Sequence, residues 1–218
     1  MQIIPEKNIQ DSKQTIEQKI DEHILVVKRS YLFADSQAWH GLKEVNFDHY
    51  LHIINHKKEF HPRSVMETNP LYKQIIPYLI FEHNQQYFLM QRRSDSSETR
   101  LRNKLTLGIG GHIRQEDMQE DSLFGWATRE FHEEVHYLGN VTVRPLGIIN
   151  DDSDDVGKVH IGFAFLLTGD SSDIAIKSEL KSGTLVPLSE CIAQQEGMES
   201  WSQFVIGFLQ GNTINLQE

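Results

Sequence analysis

The residues best suited to chemistry lie in one short stretch. Gly108-Ile109-Gly110-Gly111-His112-Ile113 is followed by Asp121-Ser122 and then by Arg129-Glu130-Phe131-His132-Glu133-Glu134. Wound as a helix at about 100° per residue, Leu123, Ala127, Phe131, Val135 and Leu138 form an apolar arc. Glu130, Glu133 and Glu134 share the neighbouring arc. Three carboxylates so placed repel one another by a few tenths of a kcal/mol per pair, and a hard divalent cation reverses that sign. Mg²⁺ and Mn²⁺ take oxygen ligands, so this arc predicts such a site. Arg129, one turn before Glu133, is spaced to brace its carboxylate. A solvated helix face is the plainer reading of three glutamates alone. The Gly-Gly turn, the acid eight residues before Arg129 and the small Ala127 favour the metal.

The same helix spells His132-Glu133-Glu134-Val135-His136, the His-Glu-x-x-His pattern of zinc peptidases. On the helical wheel both histidines project away from the apolar arc. The third-ligand position is Thr142, and His160 falls on a strand, so this alternative is set aside. One basic concentration, Arg92, Arg93, Arg100, Arg102 and Lys104, precedes the Gly-rich strand. Arginine presents a fork that fits phosphate oxygens, so Arg92, Arg93, Arg102 and Lys104 are candidate substrate-binding residues, the equal alternative being a basic loop that balances an acidic protein. An acidic turn, Asp151, Asp152, Asp154 and Asp155, reads most simply as a solvated loop. Cys191 reads as a small buried apolar residue, and Trp126, Phe124 and His112 as packing residues.

These groups need a scaffold, and the chain's patterning describes one. Ile24–Lys28 reads as a strand. Phe47, Tyr50, Leu51 and Ile54 recur at helical spacing. Residues 56–74 read as a connecting loop broken by Pro62 and Pro70. Ile75–Phe81 and Tyr87–Gln91 flank a turn and predict a hairpin, and Leu105–Ile109 predicts a strand ending in Gly110-Gly111. The helix is expected over residues 122–138, stopped by Gly139-Asn140. Val141–Ile149 and the strictly alternating Val159, Ile161, Phe163, Phe165 and Leu167 predict two further strands. Trp201, Phe204, Val205 and Phe208 place a last helix against the core. Strands around one central and one terminal helix make the class α+β.

Composition sets the outer limits. The 218 residues suffice for one large domain, and 21 Lys+Arg against 31 Asp+Glu leave a net charge of −10. That balance disfavours binding to nucleic-acid polymers or anionic membranes. A single cysteine excludes an intramolecular disulfide and Cys-based zinc modules. The first residues lack the basic and apolar regions of a secretory signal, and no apolar run is long enough to span a bilayer, so the expected location is cytoplasmic.

Taken together, these residues resemble the Nudix hydrolases, whose signature is Gly-x5-Glu-x7-Arg-Glu-U-x-Glu-Glu-x-Gly-U, U being bulky and apolar. Arg129 to Glu134 match the second half. Asp121 stands where the upstream Glu belongs, and Gly111 fits the opening Gly if about four residues are inserted before Asp121. His136 replaces the closing Gly, with Tyr137 at the following apolar position. The GIGGHI turn and DEHILVVKR also resemble a bacterial subgroup described as phosphoesterases. The resemblance implies a Nudix-type α/β/α sandwich with a mixed sheet. An N-terminal extension (1–68) would pack on or lengthen the sheet of a Nudix hydrolase domain (69–212). It further implies Mg²⁺ or Mn²⁺ held by Glu130 and Glu134, by Glu133 as a third ligand or as a base, and by the Gly111 carbonyl. Arg129 would orient a glutamate, and a base taken from a loop elsewhere, as in some family members, would be Asp151, Asp152, Asp154 or Asp155. The expected substrate is a small molecule, a nucleoside diphosphate linked to another group or a similar diphosphate, with a homodimer left open. The alternative is a Nudix-fold module that binds a nucleotide without cleaving it.

Overall fold

The computed structural model describes residues 21–94, 101–117, 123–177 and 180–215. In order, β1 (His23–Lys28), α1 (Arg29–Leu32), β2 (Gly41–Lys43), α2 (Phe47–Lys57), β3 (Glu59–Pro62) and α3 (Arg63–Met66) lead into the long β4 (Tyr72–His83). Next come β5 (Gln86–Arg92), β6 (Leu105–Thr106), β7 (Gly108–Gly110), a 3₁₀ turn (Gln115–Asp117) and α4 (Leu123–Glu134). The remainder is β8 (Val135–Tyr137), β9 (Val141–Asn150), α5 (Asp155–Val159), β10 (His160–Gly169), β11 (Ile174–Ile176), β12 (Leu180–Pro187), α6 (Leu188–Ala193) and α7 (Ser200–Asn215).

The main sheet runs β12-β5-β4-β10-β9-β2 and is mixed, because β4 and β10 pair in parallel while the other pairings are antiparallel. β4 is the spine. One edge lies along β10, and the other is shared in turn by β1 at Tyr72–Gln74, β7 at Tyr78–Ile80 and β5 at Glu82–His83. Between the β1 and β7 stretches the sheet edge opens, and the chain leaving β7 turns there toward β1, Leu25 N–H donating to the Ile113 carbonyl at 2.8 Å.

Both faces are covered, as an α/β/α sandwich requires. Ile161, Phe163, Phe165 and Leu167 of β10 point into a core closed by α2 and α4, with Phe131, Trp126 and Tyr50. The intervening Ala164 and Leu166 point into a second core with Val205, Ile206 and Leu209 of α7 and Cys191 of α6. Burial pushes the Cys191 thiol up to about 11, as befits an inert packing group.

Local structure departs from the sequence reading in three places. Residues 56–74 are not a loop: β3 pairs with β1, α3 follows, and β4 starts at Tyr72. The strand expected over Leu105–Ile109 is split at the fully buried Leu107, because β6 pairs with β5 and β7 with β4. The central helix ends at Glu134 rather than at residue 138. Val135 and Tyr137 are buried on β8, which pairs with β11, while His136 and Leu138 are exposed. The described part of 1–68 supplies strands to the main sheet, with β1 on β4 and β2 on β9. No described helix is long and apolar enough to cross a membrane.

Candidate active site

Two glycines set the geometry. A Cβ on Gly108 would lie 2.0 Å from the Tyr78 ring, whose hydroxyl shares a hydrogen bond with Ser202 at the start of α7 (2.8 Å). A Cβ on Gly111 would lie 2.0 Å from the Glu130 carboxylate. Only a residue without a side chain lets this turn approach α4 so closely. Glu130 is largely buried beneath the turn. Burial raises its pKa, Arg129 opposes the rise, and Glu133 adds to it.

Arg129 is the hub of the cluster. It donates to Glu133 and to Asp117 (2.9 Å), and lies 3.8 Å from Glu130. The expected brace between Arg129 and Glu133 is therefore present, and Glu133 remains half exposed. Asp117, with its side chain only 8% exposed, also accepts from the backbone N–H (3.0 Å) and Nε (3.3 Å) of Arg114. Its own carbonyl accepts from the Trp126 indole at 2.9 Å.

Asp117 was missed by the sequence reading, and the signal for it was available. Five residues separate Gly111 from Asp117, the spacing of the opening Gly and acid in the signature, so the extra residues lie between the acid and Arg129 rather than before the acid. Asp121, the acid chosen from its distance to Arg129, lies outside the described residues, as does Arg100.

Gly111 also borders a cleft of about 310 Å³. Its walls come from β4 (Ile76, Tyr78), the turn after β7 (Gly110 to His112), the β9–β10 connection (Asp151, Asp154) and the start of α7 (Trp201). Of the basic candidates, Arg92 and Lys104 line it; Arg93 and Arg102 are exposed and do not. Arg92 donates to Glu199 at 2.8 Å. Burial pushes its pKa down, and the neighbouring Glu199 carboxylate, with smaller contributions from Tyr78 and Glu134, outweighs that.

The acidic turn sorts into distinct duties. Asp152 is bound by Arg29 (2.6 Å) and by the buried Lys73 (2.8 Å), Asp155 pairs with Lys158, and neither lines the cleft. Asp151 and Asp154 do line it, Asp154 also capping α5 through the Gly157 N–H at 2.6 Å. His132 is exposed on α4 and His136 on β8, on different elements, which agrees with setting the peptidase reading aside. His112, expected to pack, borders the cleft instead and meets Gln74 (2.7 Å) and His160 (3.3 Å).

The donors around Gly111 suit a hard divalent cation. They are the Glu130 carboxylate and the Gly111 carbonyl; Glu130 is buried where its charge is unfavourable, and the missing Cβ of Gly111 lets that carboxylate lie against the turn.

No family model matches the chain. The YmaB protein of Bacillus subtilis (strain 168) is 32% identical over 208 residues, which span 88% of this chain and 99% of that protein. The crystal structure of Tm1382, assigned to the Nudix hydrolases, superposes with a TM-score of 0.69 at 28% identity, covering 86% of this chain and 98% of that one. The Nudix domain of Shewanella oneidensis NrtR, solved with ADP-ribose, shares the fold at a TM-score of 0.50 and 14% identity, over 65% and 88% of the two chains. With its glutamate-bearing helix packed under a Gly-Gly turn and these likenesses running through most of its length, the chain belongs to the Nudix hydrolase family.

Proposed function

We propose that the protein is a Mg²⁺- or Mn²⁺-dependent pyrophosphohydrolase whose substrate is a nucleoside diphosphate linked to a second group, or a similar small diphosphate. The observation that carries the reading is the Glu130 carboxylate lodged against Gly111 at the border of a cleft that Arg92 and Lys104 also line.

Glu130, Glu134 and the Gly111 carbonyl are the residues that would hold the cation, with Glu133 a third ligand or a base. A bound cation supplies charge neutralisation of the diphosphate and a water of lowered pKa. Glu133 is positioned by Arg129, which Asp117 fixes in turn. Arg92 and Lys104 bind phosphate oxygens in the cleft they line, Arg92 oriented by Glu199. Trp201, edge-on to Tyr78 at 5.4 Å, offers an apolar surface to the rest of the substrate. If the proton acceptor comes from the acidic turn, it is Asp151 or Asp154, since those are the two acids there that line the cleft.

The test is phosphate and nucleotide release from a panel of nucleoside diphosphate conjugates, ADP-ribose and dinucleotides among them, with and without Mg²⁺ or Mn²⁺. Cation-stimulated turnover is expected, falling roughly 10²-fold or more in Glu134→Gln. A nucleotide-binding module without activity would instead show ligand-induced thermal stabilisation and no product.

A further inference from the structure

A second group of potential ligands uses none of the α4 glutamates. Glu67 follows α3, His112 follows the turn, and His160 begins β10. Each offers one ligand atom, and these atoms all lie within 4.8 Å of one another. We infer that Glu67, His112 and His160 form a second metal site, selective for a borderline transition ion such as Zn²⁺, Fe²⁺ or Co²⁺ over Mg²⁺.

The ring geometry points to a metal. The two imidazole Nε2 atoms are 3.3 Å apart. A tetrahedral ion bound at about 2.0–2.1 Å to each of two imidazoles holds their nitrogens roughly 3.4 Å apart. The Nδ1 of His160 lies 2.7 Å from the Val156 carbonyl. A carbonyl only accepts, so the proton sits on Nδ1 and the bare Nε2 faces the cluster. Ligand histidines are commonly held in this way, through a ring N–H donated to a backbone carbonyl.

Gln74 supplies a further oxygen. Its side chain is fully buried, its amide N–H donates to the Met66 carbonyl (3.3 Å), and its Oε1 is thereby turned toward His112 at 2.7 Å. Without an ion, His112 Nε2–H is shared between that oxygen and the unprotonated Nε2 of His160. Binding requires the ring proton to move to Nδ1, which changes no net charge. The nearby cation Arg63 is partnered by Glu67 (3.0 Å) and Glu22 (3.4 Å), and Glu67 keeps a second oxygen for the ion.

Two imidazoles and one carboxylate favour transition ions, whereas the oxygen-only set on α4 favours hard ones. The two sites are therefore separable by chemistry. An ion here would join α3, the Gly-Gly turn and β10, and so brace the border of the cleft.

The test uses the full chain, stripped with a chelator and titrated with Co²⁺ in excess Mg²⁺. One equivalent is expected to bind with the intense visible absorption of a low-coordinate ion and with two shifted imidazole signals in NMR. His160→Gln and Glu67→Gln should each weaken binding about 100-fold, while Glu130→Gln and Glu134→Gln leave the spectrum unchanged. Absorption no stronger than that of hydrated Co²⁺ overturns the assignment. So does a spectrum that survives His160→Gln, or one that vanishes in Glu134→Gln. Should His160→Gln fail to fold, Glu67→Gln, at the partly exposed end of α3, decides alone: unchanged binding rejects the site.

Discussion

At the scale of single residues, Glu130 is held where its charge is unwelcome. The carboxylate is largely buried against Gly111, with Glu133 adding a like charge and Arg129, at 3.8 Å, only partly compensating. A carboxyl whose pKa is raised by folding costs nothing while both states are protonated. The penalty grows as pH climbs past the ordinary carboxylate range and is complete above the folded pKa. Glu130→Gln removes it. In chelator, the variant is expected to melt at a higher temperature than the wild type at pH 7–8, with the difference vanishing below about pH 4. It should also lose nearly all cation-stimulated turnover. Thermal melts across pH, run beside the hydrolysis assay, check both outcomes; a variant that melts lower at neutral pH would contradict the burial argument. A residue whose removal stabilises the fold while abolishing turnover is one kept for function.

At the scale of elements, α4 is aimed by what grips its flank. Asp117 in the 3₁₀ turn joins Arg114 to Arg129, so the turn, the helix and the Glu133 carboxylate form one linked unit. Asp117→Asn is expected to cost about 2 kcal/mol in denaturant unfolding, because a buried charge-assisted pair is broken. It should lower kcat roughly tenfold with little change in KM, since Arg129 positions a glutamate and does not bind substrate. A chain in which Asp121 did this work would be indifferent to that change. The contrast shows what the sequence could reveal. The Arg129–Glu133 spacing, the hairpin and the alternation of β10 were legible because each is local and periodic. The helix end was not, because Val135 and Leu138 continue the apolar spacing while pairing with β11 draws Val135 and Tyr137 into a strand and leaves Leu138 exposed. β3 and α3 were hidden because the partner that makes β3 a strand, β1, lies some 35 residues upstream. Glu67, His112 and His160 come from three distant parts of the chain, and the fold brings them together beside Gln74, which pairs with Val26 of β1 on one side and with His160 of β10 on the other.

At the scale of the whole molecule, the cleft depends on a charge cluster that fastens the N-terminal segment to the sheet. Lys73 is fully buried and donates to Asp152 (2.8 Å) and to the carbonyls of Gly157 (2.7 Å) and His160 (3.1 Å). Arg29, just after β1, closes the other side of Asp152 with two hydrogen bonds, at 2.9 and 2.6 Å. One carboxylate thus ties together α1, β4 and the β9–β10 connection, which carries Asp151 and Asp154 into the cleft. Burial pushes the Asp152 carboxyl up, but the hydrogen bonds from Arg29 and Lys73 outweigh it and hold the group well below the ordinary carboxylate range. Its contribution is therefore present above the unfolded-state pKa, about 3.9, and is lost as pH falls through the lower folded value. Asp152→Asn leaves the Lys73 ammonium buried without its anion, an arrangement that costs about 3 kcal/mol at neutral pH. Urea unfolding should show that deficit at pH 7 and a smaller one as the pH drops well below 4, the two stability curves converging in acid. Lys73→Met in the same background should recover part of the loss, because the uncompensated charge is then gone. If Asp152→Asn were neutral at pH 7, the N-terminal segment would have to be fastened by its strand pairings alone, and the cluster would be incidental to the shape of the cleft.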